Sequence, residues 1–245
     1  MDINEQAQLA WDIIETTNTN LFLTGKAGTG KTTFLRRLKE ESSKRIVVVA
    51  PTGIAAINAE GVTIHSFFQL SFAPFIPDAQ YKLKEQQYRF SKQKIRVIQS
   101  IDTLVIDEIS MVRADLLDAV DSVLRRFRKN QLPFGGVQMV MIGDLGQLAP
   151  VAKDDEWQML SRYYDTPYFF SSIALKSTRY AIVELKTIYR QSDSHFVELL
   201  NRVRDNRADD KVLAALNSRY IPNFQPRVEE GYIRLTTHNY QAQQE

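Results

Sequence analysis

The sequence predicts an α/β fold in which helices cover both faces of a parallel β-sheet. Apolar runs of strand length alternate with amphipathic helical stretches along the 245 residues. Runs such as 46–50 are continuous and rich in β-branched residues, which is typical of parallel strands buried on both faces. A glycine-rich turn over 25–30 joins the first strand to a helix. Together these observations predict a doubly wound sheet that binds its ligand at the carboxyl ends of the strands.

The elements follow from hydrophobic periodicity. A helix is predicted over 5–15, with Leu9 and Ile13 facing inward and Ala10 and Ile14 as further candidates. Strands are predicted over 21–23, 46–50, 103–106, 137–142, 168–170 and 181–183, and helices over 31–41 and 114–127. Beyond residue 184 we expect a helix near 193–205 and one strand over 232–235. Because such a pair cannot bury its own apolar face, it is interpreted as the start of a second domain.

Composition excludes several classes of protein. The chain has 44% hydrophobic and 24% charged residues, a net charge of +2 and no cysteine. Disulfides and cysteine-based zinc sites are therefore excluded. No apolar run approaches the length of a membrane span, so no membrane partner is expected. The polar, acidic N-terminus is unlike a secretory leader. We expect a cytoplasmic protein of bacterial or phage origin.

The turn after the first strand matches a Walker A loop, G-x-x-x-x-G-K-[ST], from Gly25 to Thr32. Glycines allow successive backbone amides to converge on phosphate oxygens, and the following helix adds its positive end. Lys31 is predicted to reach the β- and γ-phosphates of ATP, and Thr32 to ligate Mg²⁺. The residues predicted to bind the nucleotide here are Gly25, Ala27, Gly28, Thr29, Gly30, Lys31, Thr32 and Thr33.

Three further groups could complete an ATPase site. Asp107 and Glu108 follow the three apolar residues 104–106, as in a Walker B strand, and could hold magnesium and orient the attacking water. Gln147 follows the next strand and could contact both the γ-phosphate and that water, although an ordinary turn is the alternative. Arg190 lies near the expected domain junction and could stabilise transition-state charge, although a surface arginine is the alternative.

A basic segment interrupts the α/β rhythm. Residues 81–96 contain six basic residues and one acidic residue, with aromatic residues between them. This pattern favours contact with nucleic acid. A solvated helix with a few buried aromatic residues is the alternative.

The order of the motifs resembles superfamily-one DNA helicases of the petite integration frequency (PIF) family, relatives of RecD. The matching stretches are 25–33, 50–56, 63–67, 106–111, 143–150 and 189–191, and the stretch 121–151 resembles that family's own characteristic segment. The resemblance covers nearly the whole chain. It implies a first RecA-like P-loop NTPase domain over 1–66 and 97–183. It also implies a small basic inserted module over 67–96, which helps to split the duplex, and the incomplete start of a second RecA-like domain over 184–245.

The resemblance implies ATP-driven, Mg²⁺-dependent 5′-to-3′ translocation on single-stranded DNA and unwinding of forked or structured duplex DNA by a monomer. It assigns Lys31, Glu108, Gln147 and Arg190 to catalysis, with Gln147 as γ-phosphate sensor and Arg190 as arginine finger. Thr32 and Asp107 would bind the metal. Thr52, Gly53, His65, Ser66 and Phe67 fall in motifs that contact DNA. The glutamine that reads adenine is ambiguous between Gln6 and Gln8, and Gln8 is favoured.

Departures from the family keep other interpretations open. Leu145-Gly146 stands where the family usually has aromatic residues, and Ala149 replaces a proline in the following turn. The family's later motifs are expected beyond residue 245. The chain could therefore be a module that binds nucleotide and single-stranded DNA without unwinding. A P-loop kinase or GTPase is a weaker alternative, because it gives 51–53 and 143–150 no role.

Overall fold

The computed structural model of the protein describes residues 4–77, 90–187, 189, 194–236 and 241. The chain divides into two compact units, Met1–Ser192 and Asp193–Glu245. The strands are β1 (Asn20–Gly25), β2 (Ile46–Ala50), β3 (Val62–Thr63), β4 (Thr103–Ile106), β5 (Gln138–Ile142) and β6 (Tyr180–Leu185). The helices of the first unit are α1 (Glu5–Thr16), α2 (Lys31–Glu41), α3 (Gly53–Asn58), α4 (Ile64–Phe68), α5 (Lys92–Ser100), α6 (Ala114–Arg128), α7 (Asp154–Leu160) and α8 (Ile173–Lys176). Three short 3-10 helices, Ile109–Met111, Pro133–Gly136 and Phe169–Ser171, lie between them.

The strands form one parallel sheet in the order β3-β2-β4-β5-β1-β6. The chain therefore moves to one side of β1 and returns to its other side at β6. This arrangement places a topological switch point at β1, where open α/β sheets bind ligands. The predicted doubly wound α/β fold is confirmed.

The sheet separates two hydrophobic cores. On β1, Leu21 and Leu23 pack on the face that carries α1 and α2. Phe22 points to the opposite face, where its ring meets Phe169 edge-on with ring centroids 5.3 Å apart. The side chains of β4 and β5 alternate in the same way. Both faces are thus buried, which explains the continuous apolar runs of these strands.

Polar side chains close the amino-terminal edge of the sheet. The Gln138 carboxamide oxygen accepts hydrogen bonds from Thr103 and Lys44, both at 2.9 Å. Its nitrogen donates to the carbonyl oxygens of Thr19 at 2.8 Å and Thr17 at 3.2 Å. Because this buried amide is fully satisfied by the protein, it serves the fold rather than a ligand. The residues predicted to bind ligands lie at the opposite edge, where the strands end.

The stretch between α6 and β5, residues 129–137, is held by hydrogen bonds from Arg128 and to Asp121, and we call it the clamp. The Arg128 guanidinium at the end of α6 donates to the carbonyl oxygens of Ile98, Gln99 and Ile101 at 2.9–3.1 Å, and to that of Gly135 at 2.9 Å. Phe134, fully buried with a left-handed φ of 55°, donates its backbone amide to Asp121. This network ties the end of α5 to the loop that enters β5.

Two local predictions in the first unit were wrong. α1 buries Ala10 and Ile14, whereas Leu9 is 53% exposed, because the face of the helix that packs on the sheet carries residues 10 and 14, which are four apart. Residues 168–170 do not form a strand: Tyr168 makes one isolated bridge and a 3-10 helix follows. The backbone of this segment bonds to itself, because the Ser171 amide donates to the Tyr168 carbonyl oxygen at 2.9 Å. The next residues are held by Asp118, which accepts hydrogen bonds from the backbone amides of residues 173 and 174 and from the hydroxyl of residue 172.

The second unit contains α9 (Ser194–Arg204), α10 (Asp210–Asn217) and a 3-10 turn, Val228–Glu230. The predicted strand over 232–235 is not observed, and its apolar side chains Ile233 and Leu235 are 85% and 91% exposed. A strand needs a hydrogen-bonded neighbour, and the described part of this unit contains no other strand. Throughout the described residues, the helices are too short or too polar to span a bilayer.

Candidate nucleotide and nucleic-acid site

The loop from β1 to α2 has the backbone geometry of an anion cradle. Gly25 has φ +150°, and a Cβ placed there would lie 2.6 Å from the Leu185 carbonyl oxygen. Gly28 and Gly30 also have positive φ angles, 80° and 93°. Gly30 caps the 11-residue helix α2 without a side-chain hydrogen bond, so the first amides of the helix keep their capacity to bind an anion.

Lys31 lies across this loop. Its Nζ donates to the carbonyl oxygens of Gly25 at 2.5 Å and Lys26 at 3.1 Å. The hydroxyl of the buried Thr29 also donates to Lys26, at 2.8 Å, and so tightens the turn. The ammonium group is thus at the mouth of the cradle, where a phosphate held by the loop amides would meet it. Ala27, Thr32 and Thr33 are exposed on the same loop and first helical turn.

Asp107 follows β4, and its backbone amide donates to the Val49 carbonyl oxygen at 2.9 Å. Burial, and then the neighbouring carboxylate of Glu108, raise the pKa of Asp107 to about 6, while the charge of Lys31 acts in the opposite sense. The interaction with Lys31 shows that the two Walker motifs share one electrostatic environment. A carboxylate whose ionised form is disfavoured in this way gains from a nearby cation.

The donor set fits magnesium. The Thr32 hydroxyl and the Asp107 carboxylate offer the hard oxygen ligands that Mg²⁺ prefers. Within the described ranges, no group of three or more His, Cys, Asp or Glu side chains could form a complete protein cage for a metal. Mg²⁺ bound with a nucleotide typically takes one or two protein ligands, and phosphate and water complete its shell.

Glu108 has an unusual backbone. Its φ of 52° and ψ of 45° place it in the left-handed region, immediately before the 3-10 helix Ile109–Met111. A non-glycine residue pays roughly 1–2 kcal/mol for this conformation. Strain of this kind is concentrated at functional sites. Because of this left-handed backbone, the Glu108 side chain does not continue the alternation of the preceding strand.

Replacing Glu108 with glycine is expected to separate activity from stability. Glycine relieves the left-handed strain, so the free energy of unfolding should stay within about 1 kcal/mol of the wild-type value. ATP hydrolysis should fall by two orders of magnitude or more, on the order expected for a lost general base. Glu108→Ala is the matched control, because it also removes the carboxylate but keeps the strain. Thermal melts should therefore rank glycine above alanine, and the reverse order would contradict the role given to strain.

The loop after β5 rests on the turn that follows Glu108. A Cβ at Gly143 would lie 2.9 Å from the Ile109 Cγ2 atom and 3.1 Å from its backbone nitrogen. Asp144 then organises the loop, since its side chain accepts the amide of Gly146 at 2.9 Å and its carbonyl accepts that of Gln147 at 3.0 Å. Gln147 is exposed at the carboxyl edge of the sheet. The strand between the two Walker strands thus carries the predicted sensor.

The segment after β6 reaches the cradle, a contact that sequence reasoning did not predict. The backbone amide of Tyr189 donates to the Gly28 carbonyl oxygen at 2.9 Å. A Cβ at Gly30 would lie 3.6 Å from the Tyr189 ring. Arg190, the next residue, lies outside the described residues, so its assignment as an arginine finger stays a prediction. In the sequence, the one sign that Tyr189 could lie near the nucleotide was its position beside Arg190 in the motif 189–191.

The assignment of Gln8 as the adenine-reading residue also stays a prediction. Gln8 lies on α1, and its side-chain nitrogen donates to Asp12 at 2.7 Å. Gln6 lies in the first turn of the same helix, where its backbone amide donates to Asn4.

The predicted DNA-contacting residues follow β2 and β3. The Thr52 hydroxyl caps α3 by accepting the Ala55 amide at 3.2 Å, and Gly53 begins that helix. His65 and the exposed Ser66 lie on α4. Phe67 is only 6% exposed, and the Lys94 ammonium lies 3.5 Å from its ring centroid. Its ring is therefore part of the core.

The strand order separates the two groups of residues along one edge. β2 and β3 lie three and four strands from β1. At about 4.8 Å per strand, this places the Thr52 and His65 motifs roughly 14–19 Å from the nucleotide cradle. Most of the basic stretch 81–96 lies outside the described residues, which resume at Phe90.

A family model described as PIF1-like helicase matches residues 3–213. The ATP-dependent DNA helicase PIF1 of Saccharomyces cerevisiae is 38% identical over 198 residues, covering 78% of this chain and 22% of that protein. The Bacteroides Pif1 helicase in complex with ADP-AlF3 and single-stranded DNA is 41% identical, with a TM-score of 0.90. The match covers 100% of this chain and 56% of that one.

A second solved structure, of two coordinating Pif1 helicases unwinding forked double-stranded DNA, is also 41% identical with a TM-score of 0.90, over 100% of this chain and 57% of that one. The chain thus spans about a fifth of the yeast protein and a little over half of each solved chain. The relatives include a eukaryotic and a bacterial protein, so they do not decide the origin of this one. Because the family model matches most of the chain, the chain belongs to the PIF1-like helicase family.

Proposed function

We propose that the protein carrying this chain is an ATP-driven DNA helicase that translocates 5′ to 3′ on single-stranded DNA. One observation carries the proposal: a nucleotide cradle and the strand-end motifs of β2 and β3 occupy one edge of one sheet. ATP chemistry at one end of this edge can thereby be coupled to a strand held at the other end. The Bacteroides relative, whose structure contains both ADP-AlF3 and single-stranded DNA, supports the extension to this chain.

In the proposed hydrolytic step, each residue of the site has its own role. Lys31 and the loop amides bind and orient the β- and γ-phosphates, and Thr32 and Asp107 hold magnesium. Glu108 orients the attacking water and takes its proton, and Gln147 hydrogen-bonds the γ-phosphate and that water. Magnesium held by these residues would neutralise charge on the transferred phosphoryl group. Arg190 would add a guanidinium to the same charge.

Gly53 supports a nucleic-acid contact at the end of β2. Its φ is not in the left-handed region, and a Cβ there would meet nothing within 4 Å. Neither backbone conformation nor packing therefore requires glycine at the start of α3. Close approach of a ligand backbone to the Gly53 amide is a remaining reason for this residue. Phosphate and sugar contacts of this kind are independent of base sequence.

Replacing Gly53 with alanine is expected to leave the fold unchanged and to weaken binding of single-stranded DNA. The loss should be about fivefold or more, as for one ordinary hydrogen bond, with the free energy of unfolding within about 0.5 kcal/mol of wild type. Asn58→Ala, at the exposed far end of α3, is the control and should bind normally. Anisotropy of a labelled oligothymidylate measures both. Equal affinity of Gly53→Ala and wild type would remove Gly53 from the DNA site.

The test of the proposed function is ATP hydrolysis with and without a single-stranded oligonucleotide, followed by strand displacement on a forked duplex. We expect stimulation by DNA and opening of the fork. A second function, nucleotide and DNA binding without unwinding, is favoured by the fraction of its relatives that the chain spans. It predicts binding of both ligands with neither stimulation nor strand displacement. Absence of nucleotide binding would contradict both functions.

The second unit supports the proposed domain arrangement. In its described part, Tyr220, Ile221 and Leu235 are 76%, 60% and 91% exposed. Exposed apolar side chains of this kind mark a surface that contacts further protein. We therefore propose that residues 184–245 are the start of a second RecA-like domain.

The proposal also includes residues 67–96 as a duplex-splitting module. It further includes a cytoplasmic location and a monomer on single-stranded DNA. Because one relative's structure contains two coordinating helicases, sedimentation on forked DNA is the measurement that separates one copy from two.

A further inference from the structure

Phe72 is an exposed aromatic side chain on the segment that follows α4. The residue is 84% exposed. One face of its ring stacks on the His65 imidazole, with ring centroids 4.6 Å apart and planes inclined by 20°. Burial, and then the charge of Arg113, lower the pKa of His65, with Asp115 acting in the opposite sense. These surroundings favour the neutral form of the imidazole that backs the ring.

The chain on both sides of Phe72 is anchored. Before it, the Leu70 amide donates to the His65 carbonyl oxygen at 3.0 Å, and Leu70 packs against the main core. After it, the Phe75 amide donates to the Asp115 carboxylate at 3.0 Å. Asp115 is itself held by the Arg113 guanidinium through two hydrogen bonds of 2.8 Å. An exposed ring on an anchored segment is already oriented for a partner, which lowers the entropic cost of binding.

The position of this ring favours nucleic acid as that partner. Phe67, the aromatic residue of the adjacent motif, is buried and its ring is covered by Lys94. The same contact places a cation beside α4, the helix that carries His65 and Ser66. The Phe72 ring stacks on His65 of the same helix, so an exposed aromatic face and a cation both lie against α4. Aromatic faces and positive charge on one surface are the combination with which proteins bind single strands, because every base has a π-face.

We propose that the outer face of Phe72 stacks on a base of single-stranded DNA, with His65 as its backing. This site, the Phe72 platform, rests on the proposed function and extends it by naming the residue that contacts the bases. The platform binds any base, and it fixes the strand at the β3 end of the sheet edge. Phe72 is a binding residue and His65 a positioning residue.

The experiment compares Phe72→Ala, Phe72→Leu and Phe72→Trp with wild type for binding of labelled oligothymidylate and of a length-matched abasic strand. For oligothymidylate, the alanine and leucine variants should bind about 5- to 150-fold more weakly and tryptophan at least as well as wild type. On the abasic strand all four proteins should bind alike, because the stacking partner is missing. Tyr163→Ala, which removes an exposed aromatic residue from another part of the unit, is the control and should bind as wild type does. Thermal melts establish that each variant is folded.

Several outcomes overturn the platform. Normal oligothymidylate binding by Phe72→Ala, or equal losses on both strands, would show that the ring does not stack on bases. Binding of Phe72→Leu as tight as wild type would show that an apolar contact, such as one with a protein, suffices. These results leave the proposed function standing if hydrolysis is still stimulated by DNA. A wild-type chain that binds no single strand at low salt would overturn both.

Discussion

Replacing Lys31 with alanine is expected to abolish ATP hydrolysis by the protein carrying this chain while leaving its fold intact. The Nζ atom donates hydrogen bonds to the loop carbonyl oxygens of Gly25 and Lys26. Losing these two hydrogen bonds should cost the native state about 1–2 kcal/mol, which leaves the protein folded. The transition state loses a charge aimed at the β- and γ-phosphates. Turnover should fall by on the order of 10²–10³ or more, as when one preorganised donor is removed from an active site.

Lys39→Ala is the matched control for this substitution. Lys39 lies on the same helix, α2, and bonds to the Glu60 carboxylate at 2.7 Å, far along the helix from the loop. Its loss removes the same charge from the same element and should leave turnover unchanged. A steady-state phosphate-release assay at saturating ATP measures both variants. Wild-type turnover in Lys31→Ala would contradict the nucleotide site.

Gly135→Ala is expected to produce a large loss of stability. Gly135 has φ +59°, and its Cβ would lie 2.8 Å from the Leu124 carbonyl oxygen and 2.9 Å from the Leu124 carbonyl carbon. Left-handed strain of about 1–2 kcal/mol adds to a collision with the backbone of α6, which cannot rotate away. We expect a loss of about 2–4 kcal/mol and a melting temperature lower by roughly 5–15 °C.

Gly53→Ala is the control for that measurement, because its Cβ meets nothing. Scanning calorimetry on both variants should show a large shift for Gly135→Ala and almost none for Gly53→Ala. The Arg128 hydrogen bond to the Gly135 carbonyl should weaken in Gly135→Ala. Similar melting temperatures for the two variants would show that the clamp adapts, and that the characteristic stretch 121–151 has a role other than rigidity.

The sequence predicted the elements whose residues carry their own signal. The buried strands over 46–50 and 103–106 are observed with those bounds, because β-branched side chains favour strands wherever both faces are buried. The two-residue strand β3 is too short to show a period. The aromatic run over 168–170 has high strand propensity, but its backbone closes a 3-10 turn in which the Ser171 amide donates to the Tyr168 carbonyl oxygen.

In the candidate site too, some residues could be predicted from local motifs, whereas other contacts depend on the whole sheet. Lys31, Asp107 and Glu108 belong to short motifs whose chemistry is readable from spacing alone. The contact of Tyr189 with the cradle depends on β6 lying beside β1, and that of Gly143 with Ile109 on β5 lying beside β4. Strand order is a property of the whole sheet, and no local pattern encodes it. The sequence did not single out Phe72, because Phe67 and Phe68 lie close to it in the chain. Only the structure shows that Phe67 and Phe68 are buried and that Phe72 is exposed.

The position of β1 has a consequence for biosynthesis. β1 is made well before its neighbours in the sheet, β5 and β6, which span residues 138–142 and 180–185. At ribosomal rates of about 5–20 residues per second, the 160 residues from Gly25 to Leu185 take roughly 8–32 s to synthesise. For the first 117 of these residues, up to Ile142, the apolar strand Leu21-Phe22-Leu23 lacks both of its neighbours in the sheet. The nascent chain therefore needs protection from aggregation for that interval, and the nucleotide cradle is completed only when β6 has been made.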